Sequence, residues 1–268
     1  MCCFTTRSAV SPGHSMRMTD MAPVLIFDLD ETILRANSFP LWARFLIAGR
    51  LPGLGWRQRA WLSLCAQRLL VWRKLGRLSH DTLRWRLQLA WQSAAGHQRE
   101  DLVTRFQTRL LREVRENLRP LLAMIASEPI DAVLATAAAA EYAVGLGRQL
   151  GFRHVLASRH DSHAAAPQNS GPRKRDHVLA FLREQGWHGR KLTLFTDHLD
   201  DLPLMRESET VCWFGPDATL TTAQTLAAGT SFIRGRDLDG SALIAVLDDL
   251  PVAATDQPME ASRTMTAA

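Results

Sequence analysis

The chain has 268 residues, 46% hydrophobic and 22% charged, with a formal net charge of +5. These are the values of an ordinary globular chain, long enough for one domain with an insertion or for two small domains. No apolar run approaches the length of a membrane span, and the basic balance, with a pI near 9.5, points to an anionic partner.

Residues 1–20 are small and polar, lack the apolar core of a signal peptide, and read as a disordered segment; Met18 and Met21 stand as alternative starts. Val24-Leu25-Ile26-Phe27 then runs straight into Asp28, Asp30, Glu31 and Thr32. A short apolar run of this kind is a buried parallel strand, and it delivers its carboxylates to the carboxyl edge of a sheet, where open α/β folds keep their sites. Asp28 and Asp30, one residue apart, share a face of an extended segment and repel unless a cation sits with them; a hard divalent ion with oxygen ligands, Mg²⁺ above all, is the natural counterion. For an isolated pair of this spacing, a strand ending in a solvated acidic turn is the plainer reading.

From Thr32 to about residue 127 the pattern is helical. Trp61, Leu64, Cys65, Leu69 and Trp72 repeat at helical spacing, as do Leu83, Leu87 and Trp91. Breaks at 51–55, 76–79 and 93–96 divide the run into four or five helices, and Ser79 with Thr82 signals a helix start. Between Arg35 and Arg119 seventeen Lys or Arg face five acids, and six Trp are interleaved: Trp42, Trp56, Trp61, Trp72, Trp85 and Trp91. Two readings stay open, a bundle with Trp in its core and Arg on its solvated face, and a surface for anionic lipid headgroups. No nucleic-acid module is recognisable, and no nucleic-acid partner is expected.

Ile130–Thr136 reads as a second strand ending on a hydroxyl, followed by a helix from Ala137 to Leu150 for which Thr136 is either an N-cap or a phosphate ligand. A third strand is expected over 152–157. The 159–172 stretch reads as a loop in which His160, Asp161 and His163 lack further metal partners. Gly171-Pro172-Arg173-Lys174 opens the next helix, with Arg173 and Arg175 leaving the register of the functional cation open by one residue. Leu192–Thr196 is a strand that again ends in acids, Asp197, Asp200 and Asp201. A last short strand covers 211–214, and the tail from 251 to 268 reads as disordered. The four cysteines, Cys2, Cys3, Cys65 and Cys212, show neither metal nor disulfide spacing, which fits a reducing cytoplasm.

In this order the four stretches resemble the motifs of the haloacid dehalogenase-like (HAD) hydrolase superfamily: D-x-D-x-T at Asp28–Thr32, the strand-end hydroxyl Thr136, G-x-x-K at Gly171–Lys174, and D-x-x-x-D at Asp197–Asp201. Glu31 departs from the commonest Gly of the first motif, and His198 and Asp200 depart from common choices in the fourth. The helical insertion after the first strand is similar to the C1 cap of the phosphoserine-phosphatase-like branch, and its basic, apolar character resembles that of the phosphatidylglycerophosphatase C group. The resemblance implies a Rossmann-like α/β parallel-sheet core over 21–35 and 126–250, with an all-helical C1 cap over 36–125. It implies a Mg²⁺-dependent phosphatase acting through an aspartyl-phosphate, with Asp28 as nucleophile and Asp30 as acid/base. Thr136 and Lys174 would bind phosphate; Asp28, Asp30 and Asp197 would hold the metal; Asp201 would support the site. The expected substrate is a phosphorylated small molecule or lipid, with peripheral contact to the inner face of an anionic membrane as the accompanying expectation. A soluble-metabolite phosphatase such as phosphoserine phosphatase, or a HAD-like binding protein without catalysis, are the rival readings.

Overall fold

Alternate residues of Val24–Phe27 are buried on opposite faces. Leu25 and Phe27 belong to one apolar cluster, and Val24 and Ile26 to another. A strand buried on both faces must lie inside a sheet covered on both sides, and the computed structural model, which describes residues 22–48, 51–159 and 168–248, has that architecture. Six parallel strands lie in the order β3-β2-β1-β4-β5-β6. They are β1 (Val24–Phe27), β2 (Ala132–Ala139), β3 (His154–Ser158), β4 (Leu192–Thr196), β5 (Thr210–Trp213) and β6 (Ser231–Arg234). The order reverses at β1, which pairs with β2 on one side and β4 on the other. The crevice at the carboxyl ends of such a reversal is where doubly wound sheets place ligands.

Four helices stand between β1 and the return to the core: α1 (Ser38–Ala48), α2 (Trp56–Lys74), α3 (His80–Ala95) and α4 (Arg99–Leu110). Ser79 caps α3, its Oγ accepting from the Thr82 amide at 3.1 Å. Trp42 and Trp91 pack edge to face in the middle of this bundle, joined by Phe106 and by Tyr142 from the core. The insertion is docked on α6 (Ala140–Gln149), where Glu141 accepts from Gln88, Trp91 and Arg99. Its entry and exit are tied together. Leu34 and Val114 form an antiparallel bridge, with the Arg35 amide donating to Glu113 O at 2.8 Å and the Arg115 amide to Ile33 O at 2.9 Å. The core therefore resumes at this bridge rather than at residue 126. The helix α5 (Arg119–Ser127), counted with the insertion on sequence grounds, packs instead against α10 (Gly240–Asp248).

A second boundary also differs. The alanine run 137–139, read from propensity as the start of a helix, continues β2 to Ala139, and α6 begins only at Ala140. The register of β2 against β3 shifts between Ala135 and Ala139. Pairing with β3 overrides the helical preference of alanine, as tertiary context does. Thr136 is thus a strand residue and not the cap of α6. The terminal segments 1–20 and 251–268, the His160–His163 cluster, and Cys2 and Cys3 lie outside the described residues.

Candidate active site

The carboxyl ends of β1, β2 and β4 open into one cavity of ≈ 240 Å³, and Asp28, Asp30, Thr136, Lys174, Asp197 and Asp201 all line it. The fold thus brings together every candidate named from the sequence, from segments up to 173 positions apart.

Asp28 follows β1 directly, its amide donating to Phe195 O of β4 at 2.9 Å. The chain then turns over Leu29–Ile33, closed by the Leu34 amide donating to Leu29 O at 2.9 Å. Within this turn Glu31 has φ 58° and ψ −4°, a left-handed conformation that glycine adopts without strain and glutamate does not. That is the physical reason a glycine suits this position. Arg115, at the exit of the insertion, fixes the turn by donating to Glu31 O at 2.8 Å and to Thr32 O at 2.9 Å.

Lys174 resolves the register left open between three basic residues. It lies in the first turn of α7 (Gly171–Glu184), is 2% exposed, and donates to Asp28 Oδ1 at 2.6 Å and to Asp201 Oδ2 at 2.7 Å. Arg173 is exposed, and Arg175 pairs with Asp176. Burial works against the ammonium charge, and the Asp201 and Asp28 carboxylates more than offset it, so Lys174 is held above the ordinary lysine range. Burial also raises Asp28, with Lys174 opposing and the Asp201 and Asp197 charges adding to the rise. Asp201 accepts a second bond from Thr196 Oγ1 at 2.6 Å, and Asp197 accepts from Thr32 Oγ1 at 3.1 Å. Gly215 meets Asp197 from behind. A Cβ there would stand 2.0 Å from Asp197 O, so no other residue fits without displacing that backbone.

Asp30 lines the same cavity and is bonded to the insertion. Its Oδ1 accepts from the Ser38 amide at 2.8 Å. Burial raises its carboxyl above the usual range, with the Ser38 bonds and the Arg84 charge opposing. Its protonated form is thereby favoured, as a proton donor requires.

Hard oxygen donors and an excess of negative charge fit a divalent cation. Asp28, Asp197 and Asp201 converge with one buried ammonium among them, and each of the first two is raised by the charge of Asp201. Among the described residues, however, no group of three or more His, Cys, Asp or Glu is placed to hold a metal together. Of the three residues expected from the sequence to hold it, Asp28 and Asp197 lie in this cluster, and Asp30 lines the same cavity with its carboxylate accepting from Ser38. Without a cation the cluster has a defined pH signature. Burial, with the charges of Glu31 and Asp201 adding and the Thr32 bond opposing, pushes Asp197 up to about 6, against an ordinary value of 3.8. Between these values the unfolded chain has released a proton that the folded chain retains, so stability falls as pH rises through the window, by at most about 3 kcal/mol for this group. In EDTA the unfolding midpoint should therefore be lower at pH 7 than at pH 4.5, and Mg²⁺ should restore more stability at pH 7. An EDTA midpoint that rises over that interval would remove this account.

The insertion supplies the far wall of the cavity with Asn37, His80 and Arg84, none of which stood out in a sequence where basic helix positions read as solvated. Arg84 is 8% exposed and lies over the Phe39 ring at 4.7 Å. Its Nη1 donates to Ala137 O at 2.7 Å and to Gln168 Oε1 at 3.0 Å, while its Nε has no hydrogen-bond partner among the described residues. Burial, with the neighbouring Arg84 and Arg73 charges, lowers His80 and keeps it neutral near pH 7.

Known proteins share this fold. The family model described as haloacid dehalogenase-like hydrolase matches residues 25–206. A comparison with curated proteins gives no match. Among solved structures, a protein of unknown function from Bordetella pertussis Tohama I is similar at TM-score 0.64 and 16% identity, over 80% of this chain and 98% of that one. A HAD family hydrolase from Salmonella enterica serovar Typhi is similar at 0.55 and 12%, over 85% and 73%. A probable phosphoserine phosphatase from Vibrio cholerae is similar at 0.55 and 13%, over 87% and 67%. At these identities the structural likeness is one of fold. The family match takes in both acid-ending strands and the insertion between them, and the chain belongs to the haloacid dehalogenase-like hydrolases.

Proposed function

We propose that the chain hydrolyses a phosphate monoester whose leaving group is compact, polar and itself negatively charged. The observation that carries the reading is Lys174, a buried ammonium bonded at once to Asp28 and Asp201 in a cavity that Asp30 and Asp197 also line. A phosphoryl group entering there meets Lys174, Thr136 and the Asp28 oxygen within one cavity. Asp28 attacks phosphorus in line and forms an aspartyl-phosphate, while Asp30 gives its proton to the departing alkoxide. In the second step Asp30 takes a proton from water, whose oxygen attacks phosphorus, so that inorganic phosphate leaves and Asp28 is regenerated. Mg²⁺, held through Asp28 and Asp197, would supply charge neutralisation for the phosphoryl oxygens. Arg84, buried and with its Nε unpartnered among the described residues, supports the negative charge of the leaving group, and Asn37 and neutral His80 its polarity. A cytoplasmic setting belongs to the reading; the two cysteines among the described residues, Cys65 and Cys212, are both free.

The test is a screen with Mg²⁺, and with EDTA, of soluble monoesters differing only in leaving-group charge, together with short-chain lipid phosphates that divide free from lipid-borne substrates. Turnover should need the metal and favour the anionic leaving groups. Arg84→Met should raise KM for those by about tenfold or more, while an uncharged aryl phosphate is turned over nearly as before. Metal-independent turnover, or none on any monoester by folded protein, would sink the phosphatase reading and return the chain to a binding role.

A further inference from the structure

The helix α2 turns its apolar residues outward. Leu62, Ala66 and Leu69 are buried and hold it to the bundle. On the other side Trp61, Leu64 and Val71 are 46%, 66% and 54% exposed, and Leu75, at the C-cap, is 62% exposed. At about 100° per residue these four and Arg68 fall within roughly 80° of one another, opposite the buried three. Trp56, at the first turn, is 73% exposed. Five of the six large exposed hydrophobic side chains among the described residues thus sit on one 19-residue helix and its cap. A solvated helix would carry polar residues on that face. The two readings of the Trp-rich insertion therefore divide by residue, since Trp42 and Trp91 are core while Trp56 and Trp61 are surface.

The charge around this stripe has one sign. From residue 32 to residue 80 the sequence holds nine Lys or Arg and no Asp or Glu. Arg57 lies in the stripe itself, Arg68 is stacked over the Trp72 ring at 4.3 Å, and Arg73 and Lys74 close the helix. A two-fold contact between copies of the chain through this face would bring Arg57 and Arg68 of both copies into one interface, with no Asp or Glu from residue 32 to residue 80 to pair them, which disfavours a dimer there. No helix among the described residues is long and apolar enough to cross a membrane. An interfacial helix needs only an apolar stripe with Trp and Leu, and flanking cations to meet lipid phosphates. We infer that α2 is a docking surface for an anionic lipid bilayer, lying in the plane of the headgroups with Trp61, Leu64, Val71 and Leu75 directed into the acyl boundary. The inference is independent of which monoester the site hydrolyses.

The experiment uses the full chain and vesicles of phosphatidylcholine alone or with about one third phosphatidylglycerol, sedimented at 50 and 500 mM salt. Turnover of a soluble aryl phosphate is measured on the same samples, so that loss of docking and loss of catalysis are read separately. Binding should require the anionic lipid and fall at least about tenfold at high salt. The double variants Arg57→Glu/Arg68→Glu and Trp61→Ser/Leu64→Ser should each reduce binding at least tenfold with turnover and unfolding midpoint unchanged, because all four side chains are solvent-facing. Absence of binding at low salt, equal binding to neutral vesicles, or undiminished binding by both variants would overturn the inference. So would a dimer in solution that Trp61→Ser/Leu64→Ser dissociates, since the stripe would then belong to a second copy.

Discussion

Asp28→Asn should leave the protein folded and lower turnover by at least about ten-thousandfold. The amide keeps the shape of the carboxylate and an oxygen that can accept from Lys174, now 2.6 Å from Asp28 Oδ1. It removes one negative charge from a group in which Asp197 and Asp201 already oppose ionisation, so the unfolding midpoint should stay level or rise. What it cannot do is form the acyl-phosphate bond. The check is rapid quench with a ³²P-labelled monoester, in which acid-stable label on the protein should appear in the parent and vanish in the variant. Asp30→Asn should behave differently, slowing turnover by about a hundred- to ten-thousandfold while phosphate analogues still bind. Parent-like rates in Asp28→Asn would remove covalent catalysis by this residue.

Lys174→Met should be the most damaging single change at the site, because it acts on fold and chemistry together. Lys174 is 2% exposed and is the partner of two buried carboxylates. Removing one member of a buried ion pair strands the other, at a cost of about 3–5 kcal/mol. The loss should be pH-dependent, since at pH 5 the stranded acids can take up protons and at pH 8 they resist doing so. The unfolding midpoint of the variant should therefore fall further below the parent at pH 8 than at pH 5, and turnover should be undetectable at both. A midpoint unchanged at pH 8 would mean that Lys174 does not carry the charge balance of the cluster.

The parts of the site that were legible in the sequence are those where two signals coincide. An apolar run ending in acids fixes both the strand and the edge at which it stops, and this occurs at Asp28 and again at Asp197. Lys174 was legible only to within a residue, because Arg173, Lys174 and Arg175 are equivalent as charges and differ only in the helix face they occupy. Thr136 is legible as a strand-end hydroxyl, but the extension of β2 beyond it is not, since an alanine run carries helical propensity and nothing in it announces pairing with β3. Arg84 was not legible. Its burial depends on Phe39, Ala137 and Gln168, which converge from three separate segments, and a basic helix position looks the same in sequence whether it is solvated or aimed into a cavity. The supporting bonds from Thr32, Ser38 and Thr196 belong to the same class of tertiary coincidence, although Thr32 lay within a recognised motif.

The bridge between Leu34 and Val114 also bears on how the chain reaches this fold. The central pairing of the sheet joins Leu25 to Ala132 across roughly a hundred intervening residues, a loop that must close before β1 and β2 earn any contact. A cap that forms first brings residues 34 and 114 side by side and leaves only about a quarter of that loop to close. On the logarithmic scale of loop entropy this is two halvings, about 1 kcal/mol, or several-fold in the rate of nucleating the sheet. The α1–α4 bundle, built from contacts local in sequence, is the part able to assemble early. The element that covers the site in the finished protein is therefore also the one whose early assembly shortens the search for the strand pairing beneath it.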